Sequence, residues 1–317
     1  MKILSNLLSF NMNRFTVYCI FTLVALSIAY SDPYQQLDIE FLKNKKKSLK
    51  VKDPIVKKKK GSLPDFVSLI DKYEKIPGLF NFYWDKNKNK LLLSLSPENL
   101  EQIYMNNITR QSGDAYYYGG PAMLYEYPFS FKKLGDTIQL VELNLLFRAD
   151  KNSAISKAVE NDFSDSIIST AKILSSPNPE TGEILIDANK LFIRDIGYIS
   201  QRAKGRYLFD YKNSSFLDIK SFTHNSELEI SAQYKSNKFT NSYTLPNSTS
   251  MEVKYHMSIS KIIQNDYKPR KVDDRIGYFS TIYQDYTNTL QESQYIRYIN
   301  RWNLVKKNPQ AALSEPV

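Results

Sequence analysis

The sequence predicts a β-rich α+β protein: a mainly antiparallel sheet or sandwich with a few short helices. Three observations lead there. The chain carries 23 Tyr and 17 Phe beside only 10 Gly, and planar side chains fit a pleated, half-buried surface. Nine or ten runs of strand length recur along it, several alternating apolar and polar residues with period two. With 317 residues, 42% of them hydrophobic, it can bury a core large enough to support such sheets.

The elements follow in order. Residues 1–31 read as a signal peptide: Lys2 and Arg14 supply positive charge, Phe15 to Ala29 is an apolar run, and Ala29-Tyr30-Ser31 offers small residues for cleavage. The run is shorter than the roughly 20 residues a membrane span needs; an uncleaved anchor is the alternative, and Met12 offers a more compact start. Residues 32–62 read as a lysine-rich linker. Between Lys43 and Lys60 ten lysines face one acid, Asp53, and so hold +9 of the net +10. Like charges with nothing apolar to collapse around stay solvated. Membrane contact is therefore expected only through the leader or this linker.

From residue 63 to 317 the pattern is that of a β-rich domain, with a subdivision allowed near 112–136. Pro64 to Lys75 spaces its apolar residues as a short amphipathic helix. Leu79 to Trp84 and Lys90 to Ser96 flank Asp-Lys-Asn-Lys-Asn and read as a hairpin. Pro97 to Leu100 opens a helical turn, Ile103 to Arg110 returns to strand, and Ser112 to Pro121 is a Gly- and Tyr-rich loop. Thr137 to Arg148 alternates as a strand, and Ser153 is a candidate N-cap for a helix to Asn161. Ser164 to Leu174 pairs with Ile184 to Asp187, and Ala188 to Ile199 is a short helix or turn. Phe216 to Thr223, Glu227 to Tyr234, Met251 to Ile259, Arg275 to Tyr286 and Tyr295 to Val305 are strands.

The usual carriers of catalysis are sparse. Cys19, the single cysteine, lies in the leader, so the exported chain has no thiol for a disulfide, a thiolate metal site or a nucleophile. The two histidines, His224 and His256, sit in expected strands with no acid or second His at ligand spacing. Neither H-E-x-x-H nor G-x-S-x-G occurs, and the glycines form no phosphate-binding loop. Glu227 and Glu229 project from one strand face about 7 Å apart, near glycosidase separations but ordinary on an exposed face. Lysines in the linker and aromatics in the strands are not interleaved, which argues against nucleic acid as a partner.

One stretch has a likeness. Lys268-Pro269-Arg270-Lys271-Val272-Asp273-Asp274-Arg275-Ile276-Gly277-Tyr278-Phe279, followed by Tyr283-Gln284-Asp285-Tyr286, resembles a signature in the non-catalytic region ahead of the zincin domain of bacterial secreted zinc-dependent metalloproteases. Tyr295 to Trp302, with Arg297, Tyr298 and Arg301, continues it, as do Asn308-Pro309 and Ser314 to Val317. Upstream, Glu74 to Phe80, Val141 to Asp150, Phe163 to Ser166 and Leu185 to Ala188 agree too. The likeness runs from about Gly61 to Val317.

The resemblance implies an exported, periplasmic or secreted accessory or docking module of a zinc metalloprotease. In the family, Ser-Glu-Pro-Val leads into the peptidase domain, and this sequence ends at that junction. It carries over no catalytic residue, metal ligand or cofactor site; zinc belongs to the intact family. The expected partner is a separately encoded zincin peptidase domain. The expected docking residues are Arg270, Asp274, Arg275, Gly277, Tyr278, Phe279, Tyr283, Asp285, Tyr286, Arg297, Tyr298, Arg301 and Trp302, presenting an apolar face. The alternative is a stand-alone envelope or secreted protein that binds peptide or glycan.

Overall fold

Local pairing explains most of the architecture. The computed structural model describes residues 63–203, 206–239, 242–262, 267–288, 290–301 and 306–314; the expected signal peptide, the lysine-rich linker and Trp302 lie outside them. Helix α1 (Phe66–Ile70) is capped by the Asp65 carboxylate, which accepts from Ser68 N. It ends well before Lys75, because Glu74–Ile76 joins a sheet as β1. A one-turn helix with a single buried residue, Phe66, cannot outcompete three residues of strand pairing. The hairpin forms as expected from β2 (Asn81–Asp85) and β3 (Lys90–Leu95), with Asn89 in the left-handed region at φ 50° closing the turn. With β9 (Ile184–Asp187) on the far side of β3, they make a four-stranded antiparallel sheet.

A larger antiparallel sheet holds eight strands. Its order is β10 (Leu208–Phe209), β12 (Asn225–Lys235), β13 (Ser250–Lys261), β4 (Ile103–Ser112), β5 (Ala122–Leu134), β6 (Thr137–Glu142) and β8 (Ser166–Lys172), with β11 (Ser215–Ser221) also paired to β12. The β-rich, antiparallel class expected from sequence is the observed one. Alternation along β13 is clear: Met251, Val253, Tyr255, Met257 and Ile259 are buried while the residues between them are not.

Other elements of the two sheets and their connections also differ from expectation. Strand β5, the longest among the described residues, has no counterpart among the expected strands; Glu126 to Phe131 is buried without a break, so its two-residue period is erased, and Pro128 reads as a strand breaker. Its hydrogen bonds to β4 and β6 run through the 112–136 stretch. The run 137–148 is two strands, because after Glu142 the chain leaves the large sheet and Phe147–Arg148 forms β7 elsewhere. Strands β8 and β9 belong to different sheets; just past β8, Ile173 bridges Ile186 and Leu174 N donates to the Leu185 carbonyl as the chain crosses between layers. Helix α2 (Ser156–Asp162) starts three residues after Ser153, whose Oγ instead donates to the Asp150 carbonyl.

The two sheets face each other. Phe80, Phe82, Trp84, Leu91 and Leu93 from the small sheet pack against Tyr104, Tyr127, Phe129 and Phe131 of the large one, with Phe80 and Tyr104 ring centres 4.9 Å apart. Leu191 and Phe192 of α3 (Ala188–Phe192) fill the same core. Each such side chain contributes about 1.5–3 kcal/mol. The opposite face of the small sheet, through Tyr83, Leu92 and Leu185, receives Phe66 of α1. Helix, sheet and sheet are thus stacked in three layers.

Candidate functional site

The family-like segments meet on a third, small sheet. Strands β14 (Ser280–Asp285) and β15 (Gln294–Ile299) pair antiparallel, and β7 joins β14 in parallel. The expected strands 275–286 and 295–305 are therefore shorter: Arg275 to Phe279 is a loop ahead of Ser280. The outer edge of β15 is covered by the segment that precedes this loop. Lys271 bridges Tyr298, Val272 N donates to the Arg297 carbonyl, and Ile299 N donates to that of Arg270.

The loop is built by short-range polar contacts. Asp273 accepts from Arg275 N and Nε, and its carbonyl accepts from Ile276 N, which closes a turn. The Arg275 guanidinium holds the Asp273 carboxyl below its ordinary range. Asp274 pairs with Arg297 at 2.5 Å, tying the turn to β15. Both ion pairs are solvated and worth little energetically; they fix direction. The turn then carries Ile276, Tyr278 and Phe279 outward, at 51%, 54% and 80% exposure. A Cβ at Gly277 would meet nothing, so that glycine answers no steric demand of the described residues.

The same residues are anchored by neighbouring segments. Arg148 is buried, donates Nε to the Leu145 carbonyl and lies 4.1 Å from the Tyr283 ring centre. Tyr283 stacks on Tyr298, and burial together with that neighbour pushes its phenol up. Asp285 accepts from Thr287 N and Oγ1, and Asp150 N donates to that Thr287 Oγ1. Phe147 stacks on Phe163 at 4.1 Å, and Tyr286 leans on both. Asn144 N donates to Asp165. Segments 141–150, 163–166 and 283–286, far apart in sequence, so form one aromatic and polar joint. Arg301 donates to the Lys268 carbonyl and covers the Tyr267 ring.

Beside this joint a shallow groove of about 270 Å³ is lined by Leu146, Phe147, Ser280, Ile282, Tyr283, Gln284 and Tyr295. It is smaller than the cavities that enclose drug-sized ligands, and suits one or two side chains from another polypeptide. Sequence reasoning gave no role to Arg148, Phe147 or Phe163. The signal was present in Phe147-Arg148, an arginine following an apolar run.

The two histidines occupy different settings. His224 is in the turn between β11 and β12, where its carbonyl accepts from Lys261 N. His256 does have an acid beside it: its Nε2 lies 2.8 Å from Glu227 Oε2, close enough for an ion pair but not aligned as a hydrogen bond. Strand pairing across β12 and β13 makes this contact, which one-dimensional spacing does not show. Glu227 also accepts from Ser258 Oγ and Asn225 Nδ2. A serine bonded to the acid and not to the imidazole is no nucleophile–base pair. Among the described residues, no three His, Cys, Asp or Glu side chains form a metal-ligand set.

A family model described as a domain of unknown function, DUF5117, matches residues 123–307. The chain belongs to that family. The DUF5117 segment begins within β5 and takes in the whole third sheet, yet β4, which lies between β13 and β5, comes from outside it. The fold of the matched segment is therefore completed by earlier residues. No curated protein and no solved structure matches the chain.

Proposed function

We propose that this chain is a non-catalytic docking module of an exported zinc-dependent metalloprotease, and that the third sheet is its contact with the peptidase domain, carried on the same or another polypeptide. One observation supports this reading above the others. The loop and strands that bear the family-like signature leave Ile276, Tyr278, Phe279, Ile282 and Tyr295 exposed, with Ile282 and Tyr295 lining one groove. Apolar surface of this kind beside solvated ion pairs is what a protein interface presents at its centre and rim. Arg148 and the Phe147–Phe163–Tyr286 stack brace the strands that carry this surface, so little ordering cost falls on binding.

The test mixes the chain with the zincin peptidase domain of such an enzyme and measures co-elution, zinc content and casein cleavage. A complex is expected in which zinc stays with the peptidase domain. Tyr278→Ser with Phe279→Ser should weaken that complex at least tenfold, while changing stability by no more than about 0.5 kcal/mol because both side chains are exposed. Stoichiometric zinc on the chain alone, or a complex indifferent to the double substitution, overturns the reading.

A further inference from the structure

Away from the third sheet, the loop after α3 holds a cation, Arg194, with no ion-pair partner among the described residues. Arg194 is partly buried, and its Nη2 reaches two phenol oxygens, Tyr127 at 3.2 Å and Tyr125 at 3.4 Å. The neighbouring carboxylate is committed elsewhere: Asp195 Oδ1 accepts from Ile199 N and the Tyr234 hydroxyl, and Oδ2 from Ser200 N. Glu142 bears on Tyr127 through space. Burial pushes the Tyr125 and Tyr127 phenols up, so neither supplies negative charge near neutral pH. A guanidinium removed from water and bonded to neutral acceptors is unfavourable until an anion reaches it.

The same loop is strained and pinned. Tyr198 takes φ 52° and ψ 33°, the left-handed region, which costs a bulky residue about 1–2 kcal/mol. Its neighbour Gly197 is buried against the core. A Cβ on Gly197 would come 2.5 Å from the buried Tyr255 hydroxyl. The Tyr125 hydroxyl further clamps the loop by donating to the Ile196 carbonyl. This geometry holds the Tyr198 ring out into solvent, 6.2 Å from the Tyr125 ring. A partly exposed aromatic ring and a cation with no ion pair among the described residues thus both adjoin Tyr125.

We propose that Arg194 and Tyr198 form a recognition site for a peptide carboxylate, the guanidinium taking the acid group and the Tyr198 ring taking the apolar side chain next to it. The planar guanidinium matches a carboxylate. With one cation and one exposed ring, the site fits the end of a peptide better than a sugar, which needs an extended aromatic face and several graded polar partners. This proposal stands apart from the docking reading and shares none of its residues.

Titration of the full chain at low salt, by calorimetry or by NMR shifts, tests it with three probes: N-acetyl-phenylalanine, its amide, and N-acetyl-aspartyl-phenylalanine amide. The free acid is expected to bind at least tenfold more tightly than the neutral amide. Binding of the third probe comparable to that of the free acid assigns the site to an acidic side chain instead of a C-terminus; both are peptide carboxylates. Arg194→Met should abolish the preference, and Arg194→Lys should keep only part of it. Tyr198→Gly, which suits the left-handed backbone, should leave the fold intact and weaken the free acid severalfold. Equal binding of acid and amide by the unaltered chain overturns the proposal, whatever the variants do. So does an uronic acid oligosaccharide that binds where N-acetyl-phenylalanine does not.

Discussion

Arg148 shows how one side chain can set a platform. Its guanidinium is out of water, bonded to the Leu145 carbonyl and laid on the Tyr283 ring, while its own carbonyl accepts from Tyr286 N. The backbone bond survives substitution; the charged bond and the cation–π contact do not. Arg148→Ala is therefore expected to cost about 2–4 kcal/mol, seen as a lower midpoint in urea. Hydrogen exchange should accelerate first in β14, because β7 is held to that strand by only two residue pairs. Equal acceleration in β12 and β13 would show that Arg148 supports the whole fold and not this sheet. Residues of this sort were hard to see in advance. Their partners are supplied by strand pairing between distant segments, as with His256 and Glu227, whereas Tyr278 and Phe279 declared themselves through a contiguous motif.

Among the elements, the contact between the small sheet and β11 turns on Gly78. Leu79 N donates to the Phe222 carbonyl, and Ser221 Oγ donates to the Phe80 carbonyl. These bonds bring the start of β2 so close that a Cβ on Gly78 would overlap the backbone and side chain of Ser221. Backbone cannot step aside as a flexible side chain can. Gly78→Ala should cost about 1–3 kcal/mol, read as a fall in thermal midpoint, whereas Gly120→Ala, with open space but φ 80°, should lose a smaller amount through backbone strain alone. Equal losses would mean that the close approach is not the constraint. The elements that sequence made plain are those half exposed, such as β12 and β13, where burial alternates. Strand β5 stayed hidden because both its faces are covered along Glu126 to Phe131, and period two then carries no signal. The same logic hid the sheet switch after Glu142: alternation reports faces, not which sheet owns them.

Over the whole molecule, the core is unusually rich in phenols, and this ties stability to alkaline pH. Burial pushes Tyr104 and Tyr255 up to about 12, and it raises Tyr125, Tyr127 and Tyr234 as well. For each group the folded value lies above the unfolded one, near 10. The folded state thus retains protons that the unfolded chain releases, and the stabilisation is complete below pH 10 and lost as pH rises through about 12. At roughly 1.4 kcal/mol per pKa unit, Tyr104 and Tyr255 each account for about 2–3 kcal/mol of that loss. Stability should hardly change from pH 7 to 9 on their account and then fall steeply. Tyrosinate absorbance from the buried phenols should rise together with the loss of circular dichroism, because these groups ionise only when the core opens. Tyr104→Phe separates this cause from general charge repulsion. The hydroxyl accepts one bond, from Asn99 Nδ2, so its loss costs about 1 kcal/mol near neutrality, yet the alkaline midpoint should move up. A midpoint that moves down by the same increment as the neutral stability would show that phenol burial does not set the alkaline limit.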